Sequence, residues 1–313
     1  MYLQLILIQY LILAIIFSLL FIQIFIIYSR TIDYWGQIVN NSYKQDYTRW
    51  ILTDKYVAKQ YAKLNGFEVP ETYEIVQYPN QFNFDKLPKS FVIKPLDLCD
   101  SAGVYLFKNI KNIKTQETFK KQKLIDDLFS LRCKANSEYY MTENMYNGAI
   151  PYSGYIAEEL LLDENGEVPY DYKCYTFNGK IHFIAVTHNR RIIDGAQHFD
   201  SLWHTRNWTP IKYPMIKKGY KYGKIPKPEN YDNLIKIIEN LSAKLQRHCR
   251  IDVYFINGKV YLGELTFFGG AFLHTYMSNF ILGISWLCNP DNYKHEDPLL
   301  KTLVPKYYNN PHL

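Results

Sequence analysis

The chain has 313 residues and a formal net charge of +6, with 36 basic and 30 acidic side chains. This length can bury a sizeable core in one large domain or two small ones, and so modest a charge argues against nucleic-acid binding. The five cysteines are scattered and none forms a CxxC pair, which argues against a disulfide framework and against a zinc site.

The N-terminal residues 3–28 are almost wholly apolar, and this run is long enough to cross a bilayer. No basic region precedes it and no small-residue cleavage pattern follows it, so we expect a retained anchor rather than a removed signal peptide. Basic side chains follow from Arg30 onwards, and the positive-inside rule then places the body in the cytosol. The sequence therefore predicts a single-pass membrane protein with a transmembrane anchor over 1–30 and a juxtamembrane linker over 31–50. The alternative is a hydrophobic helix that docks on the body or on a partner.

Three segments after the linker predict helices. Residues 53–64 have Asp54 near the start, where a helix favours a side chain that can cap it. Residues 116–133 and 229–247 carry apolar side chains at helical spacing, and the second of these segments is strongly amphipathic.

The remaining structure of the body is predicted as strands that are mostly joined in hairpins. Helices and hairpins together predict an α+β body over 51–290, followed by a loosely packed C-terminal tail over 291–313. Runs rich in Val, Ile, Phe and Tyr predict strands at 90–94, 104–108, 155–162, 171–177, 180–186, 250–256 and 259–266.

The most informative hairpin has Asn257-Gly258 at its turn. Its apolar strands contain four polar side chains: Arg250, Asp252, Glu264 and Thr266. A carboxylate in an apolar strand is costly unless it is paired, and two that face each other repel unless a cation lies between them. A strict two-residue turn puts Asp252 and Glu264 on opposite faces, whereas an odd-numbered loop puts all four side chains on one face. We expect the odd loop and a shared magnesium ion; the alternative is an ordinary hairpin with solvent-facing charges.

The loop after the strand at 90–94 has residues that can bind phosphate groups. Lys94 ends the strand at 90–94, and the loop that follows contains Ser101 and Gly103. Such a loop can place backbone N–H groups over phosphates, and a lysine supplies a point charge for them. The alternative is a surface hairpin with exposed lysines.

Three charged motifs come next in the chain. Glu158 and Glu159 lie in an apolar run, which fits either a nucleotide pocket or a half-buried edge strand. Asp171 and Lys173 lie two residues apart on one strand face, as in a ligand site or in a simple ion pair. Arg190-Arg191 favours phosphate or carboxylate binding, with a solvated strand end as the alternative.

The order of these motifs resembles the ATP-grasp superfamily and, within it, the teichuronopeptide-biosynthesis (TupA-like) ATP-grasp family. The resemblance implies an α+β ATP-grasp fold, in which two α+β subdomains clasp ATP. The N-terminal transmembrane helix, predicted from the apolar run above, precedes this fold. The motifs that carry it are Asp54-Lys55-Tyr56, Leu87-Pro88, Phe91-Val92-Ile93-Lys94, Ile156-Ala157-Glu158-Glu159-Leu160, Asp171-Tyr172-Lys173, Phe177-Asn178-Gly179-Lys180, Arg250-Ile251-Asp252 and Gly263-Glu264-Leu265-Thr266-Phe267.

The resemblance implies a role for each motif, with ATP and Mg²⁺ as the bound groups. The implied catalytic residues are Arg250 and Lys173, and the Arg190-Arg191 pair described above adds Arg190 as a third candidate. The implied nucleotide-binding residues are Lys94, Ser101, Gly103, Glu158, Glu159, Leu160, Leu161 and Asp171. Within that set, the stretch from Glu158 to Leu161 forms the adenine hinge and Asp171 binds the ribose. The implied magnesium ligands are Asp252 and Glu264, with Thr266 where many relatives carry asparagine.

The implied activity is that of an ATP-dependent carboxylate–amine ligase, in which ATP phosphorylates a carboxylate and an amine attacks the acyl phosphate. The teichuronopeptide link suggests that an amino acid or amine is joined to a glycan or to a cell-surface polymer precursor. Expected partners are then a small-molecule or glycan-linked substrate and the membrane, with no nucleic acid. Two alternatives stay open. The stretch from Asp171 to Tyr175 also resembles inositol-phosphate kinases of this fold, which predicts a phosphotransferase acting on a small phosphorylated or sugar substrate. The other alternative is a membrane-anchored, non-catalytic member of the family.

Overall fold

The computed structural model of the chain describes residues 2–27, 33–42, 47–96, 98, 102–131, 154–193, 196–267, 273–292, 294 and 297–303. Ser101, predicted to lie over phosphates, is outside the described residues. In the described part of the chain, two five-stranded sheets are flanked by helices, and neighbouring strands within each sheet run antiparallel. This architecture confirms the predicted α+β class.

The N-terminal helix α1 (Tyr2–Ile27) is apolar along its whole length. Its 26 residues extend about 39 Å, which exceeds the ~30 Å hydrocarbon core of a bilayer. The segment Ile6–Ile26 is long and apolar enough to cross a membrane, and none of it is buried against the body. A helix of this kind near an N-terminus is typical of a membrane anchor and also of a signal sequence, so the retained anchor stays a prediction.

Two helices lie in the segment predicted as a juxtamembrane linker, 31–50. They are α2 (Tyr34–Ser42) and α3 (Tyr47–Leu52). Tyr34 and Ile38 are four residues apart and are both buried, so they form one apolar side of α2 within a polar and aromatic sequence. The structure therefore differs from the linker prediction, because buried side chains attach α2 to the body.

Helix α4 (Lys55–Lys63) begins where the sequence predicts it, because Asp54 caps it. The Asp54 Oδ1 accepts hydrogen bonds from the N–H groups of Tyr56 and Val57 at 2.8 and 3.0 Å. Beyond the helix, Gly66 adopts a left-handed conformation (φ +87°), which ends the helical path.

The first sheet, here called the small sheet, has the strand order β1-β5-β2-β3-β4. Helix α5, which covers residues 121–131, buries Leu124 and Leu128 against its apolar face. The strands and short 3-10 helices of this part are β1 (Thr72–Val76), the 3-10 turns Pro79–Gln81 and Phe84–Lys86, β2 (Phe91–Pro95), β3 (Tyr105–Lys108), β4 (Lys111–Asn112) and β5 (Tyr155–Glu158).

The second sheet, here called the large sheet, has the strand order β10-β9-β6-β7-β8. Both predicted Asn-Gly turns are present: Asn178-Gly179 joins β6 to β7, and Asn257-Gly258 joins β9 to β10. All four turn residues have positive φ, as a type I′ turn requires. The strands are β6 (Asp171–Phe177), β7 (Lys180–Ile193), β8 (Ala196–Thr205), β9 (Cys249–Ile256) and β10 (Lys259–Thr266).

Helices cover both faces of the large sheet. On the back face, α3, α4 and α6 (Tyr231–Leu245) pack on a core that includes Cys174 and Ile251. On the front face, α2 and α7 (Tyr276–Cys288) pack around Tyr175 and other aromatic side chains. Functional side chains on the front face therefore lie beside a rigid aromatic core.

The predicted C-terminal tail, 291–313, contains helix α8 (Pro298–Leu303). Leu300 of this helix is fully buried in the core on the back face of the large sheet. Tyr61 of α4 also donates a hydrogen bond to Asp297 at 2.9 Å. This part of the segment therefore packs on the body, contrary to the expectation of a loose tail. Its Pro- and Asn-rich composition obscured a short apolar helix.

The β9–β10 hairpin brings its carboxylates to one face by a route that differs from the predicted one. Its turn is a strict two-residue turn, with Ile256 opposite Lys259, so the expected odd-numbered loop is wrong. The register shifts at Gly263, and beyond this bulge Glu264 lies opposite Asp252. One extra residue moves the following side chains to the other face, because strand side chains alternate. A bulge, rather than the turn, thus aligns the two carboxylates.

Replacing Gly263 by alanine should lower the free energy of unfolding by about 1–3 kcal/mol. An added Cβ would lie 3.1 Å from the Asp252 carbonyl oxygen and 3.4 Å from Tyr254 Cε2, so the backbone at the bulge would have to shift. Urea unfolding measures the effect. In the control Gly223→Ala, the new Cβ would lie 3.0 Å from a Leu202 methyl that can rotate away, so a loss below about 1 kcal/mol is expected. Equal losses would contradict a special role for the bulge.

Candidate functional site

The bulged hairpin places a connected chain of polar side chains on the front face of the large sheet. Arg250 binds Asp252 through two hydrogen bonds, Nε to Oδ1 at 2.7 Å and Nη2 to Oδ2 at 2.9 Å. The same Nη2 donates to Thr266 Oγ1 at 3.0 Å, and this hydroxyl donates to Glu264 Oε1 at 2.8 Å. All four side chains are buried or half-buried, so they do not form an ordinary solvent-facing hairpin.

Strand β6 adds charged side chains to the same face. Lys173 lies opposite Asp252 in the ladder, and its ammonium pairs with that carboxylate. The Lys173 Nζ also lies 3.0 Å from Asp171 Oδ2. The ion pair between Asp171 and Lys173, one of the two alternatives for this motif, is therefore present. Lys173 also pairs with Asp252 on the neighbouring strand β9. We call the six residues the sheet cluster: Asp171, Lys173, Arg250, Asp252, Glu264 and Thr266.

Opposite charges decide the ionisation of the sheet cluster. Burial raises the pKa of Asp252, but the positive charges of Arg250 and Lys173 outweigh it and lower the pKa below its ordinary value. Burial also lowers the pKa of Arg250, but Asp252 and Tyr175 outweigh it and hold the pKa well above its ordinary value. Asp252 and Arg250 are therefore both charged at neutral pH. The cluster contains one more carboxylate than cations, which favours an added cation.

Buried aromatic and histidine side chains lie close to Arg250. Tyr175 lies opposite Arg250 in the ladder, and its hydroxyl lies 3.3 Å from His274 Nε2. Tyr34 of α2 is fully buried, and its hydroxyl lies 2.8 Å from His248 Nε2. Burial lowers the pKa of His248 to about 3 and that of His274 to about 4. Both imidazoles are therefore neutral, so the four side chains Tyr34, Tyr175, His248 and His274, here called the aromatic bed, add no positive charge beside Arg250.

A second charged group, here called the buried triad, lies where α4 meets the small sheet. Glu158, at the end of β5, pairs with Lys94 of β2 (Nζ to Oε1, 2.5 Å) and with Lys59 of α4 through its other oxygen. The side chains of Lys59 and Glu158 are only 2% and 3% exposed, and that of Lys94 is 12% exposed. Both oxygens of the Glu158 carboxylate are thus paired with lysines in the interior, and Lys94 is the most exposed member of the triad.

Burial and charge act in opposite directions within the triad. Burial raises the pKa of Glu158, but the charges of Lys59 and Lys94 outweigh it and lower the pKa to about 2. Burial lowers the pKa of Lys59 to about 7, because Glu158 offsets only part of the lost hydration and Lys94 adds repulsion. Glu158 is therefore ionised at neutral pH, between the two lysines.

Removing Lys59 should change how stability depends on pH. The pKa of Lys59 is about 7 in the fold against an ordinary value of 10.5, so the unfolded chain binds more protons between those values. The stability that this group contributes therefore rises with pH across that range, by up to about 1.4 kcal/mol per pH unit. Urea unfolding should show the free-energy difference between the unmodified chain and Lys59→Met increasing over this range. The exposed Lys89→Met control should show no such slope, and a flat difference for Lys59→Met would contradict the lowered pKa.

The residues predicted as an adenine hinge follow β5 in an extended stretch. Glu159 is half-buried, and its N–H donates to the Glu71 carbonyl at 2.8 Å. Leu160 is buried and Leu161 is half-buried. The hinge role of this stretch stays a prediction, and it would rest on backbone groups, because the Glu158 side chain is engaged with lysines.

The other predicted residues are placed as follows. Gly103 has φ +69°, and a Cβ there would lie 2.6 Å from Leu131 Cδ2 and 2.9 Å from Pro95 Cγ. Close packing and a left-handed backbone therefore explain why residue 103 is a glycine, whether or not a phosphate binds there. Arg190 lies in β7, and its side chain is outside the described part of the chain, as is the whole of Ser101.

The sheet cluster contains oxygen atoms of the kind that bind magnesium. Mg²⁺ usually binds one or two carboxylates together with phosphate oxygens and water, and Asp252 and Glu264 offer two carboxylates on one face. Among the described residues, no group of three or more His, Cys, Asp or Glu side chains is placed to hold a metal ion by itself. A metal here would therefore take its remaining ligands from a bound molecule, which is what a nucleotide triphosphate provides.

Two features of the site were not found in the sequence. Lys59 was not predicted, because a lysine on an amphipathic helix is normally solvated and its partner lies far along the chain. The aromatic bed was missed because Tyr34 falls in the segment interpreted as a linker. A signal for the bulge did exist, since Gly263 interrupts an otherwise continuous strand pattern.

Residues 37–281, more than three quarters of the chain, match a family model described as TupA-like ATPgrasp. No curated protein matches the chain. Among solved structures, the chain is similar to D-alanine–D-alanine ligase from Bacillus anthracis complexed with ATP (16% identity, TM-score 0.42, 76% of this chain and 64% of that one). It is also similar to L-amino acid ligase from Bacillus licheniformis (14% identity, TM-score 0.44, 80% of this chain and 54% of that one). The chain thus covers less than two thirds of each of these proteins.

Proposed function

The chain belongs to the TupA-like ATP-grasp family, and from that premise we propose that it is an ATP-dependent carboxylate–amine ligase. The observation that carries the proposal is the sheet cluster. The half-buried Arg250 guanidinium donates two hydrogen bonds directly to Asp252 and is linked to Glu264 through the Thr266 hydroxyl, with both carboxylates on one sheet face. An enzyme that transfers a phosphoryl group needs such oxygens for a metal and such a cation for developing charge.

The proposed reaction has two steps. A substrate carboxylate attacks the γ-phosphorus of ATP, the bond from that phosphorus to the bridging oxygen breaks, and ADP leaves. An amine then attacks the acyl carbon, a C–N bond forms, phosphate leaves and the nitrogen loses a proton. The products are ADP, phosphate and an amide, so each turnover should release ADP and phosphate in equal amounts.

Three basic side chains have separate roles in the proposed reaction. Arg250 has a fixed direction, because Asp252 and Thr266 hold its nitrogens, and it stabilises charge on the transferring phosphoryl group. Lys173 would exchange an Asp252 contact for a phosphate or substrate oxygen. Lys94, the most exposed member of the buried triad, would bind nucleotide phosphates.

Asp252 and Glu264 would hold the magnesium ion, with Thr266 bridging Glu264 to Arg250. When bound, the ion neutralises phosphate charge and orients the phosphates. Asp171 would bind the ribose hydroxyls, and the stretch from Glu158 to Leu161 would line the adenine. The acceptor that we propose is a glycan or cell-surface polymer precursor, to which an amino acid or amine is joined. Membership of the TupA-like family supports that choice.

A turnover assay with the purified full-length chain tests the proposal. ATP is incubated with pools of carboxylates, amines and sugar phosphates, while ADP, phosphate and products are measured. A ligase gives ADP and phosphate in equal amounts together with an amide. A phosphorylated product without phosphate release would establish the phosphotransferase alternative instead. ATP binding without turnover in any pool would support the non-catalytic alternative.

We propose further that the chain is a single-pass membrane protein with its body in the cytosol. Helix α1 is long and apolar enough to span a bilayer, and the proposed co-substrate ATP is abundant in the cytosol. Protease added to intact cells should then leave the body uncut and digest it only after the membrane is opened. Digestion from outside the sealed cell would contradict this orientation.

A further inference from the structure

Helix α7 exposes a stripe of large apolar side chains on the side that faces away from the large sheet. Tyr276, Met277, Ile284 and Leu287 are 85%, 58%, 39% and 45% exposed. Their spacing places them within about 100° of the helix circumference, while the opposite side is buried in the aromatic core of the front face. We call these four residues the α7 stripe. Such a contiguous stripe typically marks a contact surface.

A basic and aromatic segment borders the start of the α7 stripe. Residues 212–224 contain five lysines and no acidic side chain, and all five lysines are exposed. The segment is fixed beside α7, because the Lys217 N–H donates to the Leu273 carbonyl at 2.7 Å and the Thr275 N–H donates to the Met215 carbonyl at 3.2 Å. Two of its tyrosines are exposed as well. Lysines attract anionic lipid headgroups, and tyrosines favour the boundary between membrane and water.

The chain keeps this surface close to any membrane that α1 crosses. Six residues separate the end of α1 at Ile27 from the start of α2 at Tyr34, and they can extend at most about 20 Å. Helix α2 packs directly against α7. The α7 stripe is therefore held near the surface of the bilayer that would contain α1.

We propose that the α7 stripe and residues 212–224 form a membrane-docking surface, which lays the body on an anionic bilayer. The apolar side chains enter the acyl boundary and the lysines contact the headgroups, a combination that gives stable attachment where either signal alone is weak. The proposal rests on the membrane anchor proposed above and is independent of the ligase chemistry. It also explains why large apolar side chains face outward beside a basic segment.

The test separates docking from anchoring. A protease site replaces residues 28–32 in the full-length chain, which is reconstituted into phosphatidylserine-containing vesicles and then cleaved to free the folded body. Protein-free vesicles of the same lipid are added, and the body that floats with them is measured. We expect the cleaved body to bind these vesicles, with binding weakened by high salt and by replacement with neutral lipid.

Two double variants are compared with the unmodified body. Met277→Asp/Ile284→Asp should reduce vesicle binding by about tenfold or more, since each change removes an inserted apolar side chain. The control Leu64→Asp/Val168→Asp makes the same kind of change at two exposed apolar positions on other elements and should bind as the unmodified body does. Equal thermal midpoints for the two variants establish that both remain folded.

Three results would overturn the docking proposal. One is a cleaved body that does not bind protein-free vesicles; another is equal binding by both double variants. The third is a lipid-free body that sediments as a dimer and becomes a monomer in Met277→Asp/Ile284→Asp, because the stripe would then be a contact between copies of the chain. Failure of α1 to resist carbonate extraction would instead contradict the anchor, so the two failures are distinguishable.

Discussion

Replacing Glu158 by glutamine should lower the free energy of unfolding by about 1–3 kcal/mol. The change removes the anion that neutralises Lys59, an ammonium with almost no access to solvent, and leaves Lys94 as a repelling neighbour. Without Glu158, the Lys59 nitrogen either stays charged without hydration or releases its proton, and both states lose the pairing with the carboxylate. Urea unfolding at neutral pH measures the loss.

Two further variants serve as controls for this measurement. Glu164→Gln changes an exposed carboxylate a few residues away and should cost less than about 0.5 kcal/mol. Lys59→Met combined with Glu158→Leu removes the buried charges together and should recover most of the loss, because Lys94 is close enough to the surface to reach water. A loss below about 1 kcal/mol in Glu158→Gln would mean that the carboxylate does not support a buried charge.

The second large effect is on activity. Arg250→Lys should lower the kcat of the proposed ligase reaction by about 10²–10³, the range found when one preorganised group is removed from a transition state. A lysine cannot reproduce the two bonds to Asp252 together with the bond to Thr266. The ammonium would therefore keep the charge but lose the fixed direction. Steady-state rates under saturating substrate measure the effect.

Arg206 offers a matched control for this change. It also forms two bonds to one carboxylate, that of Glu239, with Nε and Nη2 each at 2.8 Å from an oxygen. This pair is more exposed and involves helix α6, which packs on the back face of the large sheet. Arg206→Lys should therefore leave kcat within about twofold of the unmodified value, consistent with the small contribution of exposed pairs. Equal losses in both variants would indicate a general effect on folding.

Local chemistry explains which parts of the fold could be predicted from the sequence. The cap on α4 is fixed by Asp54 itself, and the hairpins are fixed by two Asn-Gly turns whose residues all have positive φ. The sequence also predicts the alignment of Asp252 with Glu264, but it predicts that the turn causes it. A single glycine inside β10 decides the register instead, and periodicity alone does not distinguish these two solutions.

Long-range packing explains what could not be predicted. The pairing of Lys59 with Glu158 depends on α4 packing over a strand 99 positions further along the chain, and neither residue signals the other. The same holds for Tyr34, whose burial depends on α7 and on the front face of the large sheet. Motif comparison therefore identifies candidate ligand-binding residues more readily than the residues that pack around them.

The central claim is that the sheet cluster holds the magnesium ion of a bound nucleotide. Titration of the full-length chain with a non-hydrolysable ATP analogue, in the presence of Mg²⁺ or of a chelator, tests it most directly. Glu264→Gln is the informative variant, because it removes one proposed ligand and leaves Asp252 bound to Arg250. Removal of Mg²⁺ should weaken binding to the unmodified chain by about tenfold or more, and Glu264→Gln should lose most of that dependence. Nucleotide binding that is equally tight with and without Mg²⁺, in both proteins, would contradict the claim.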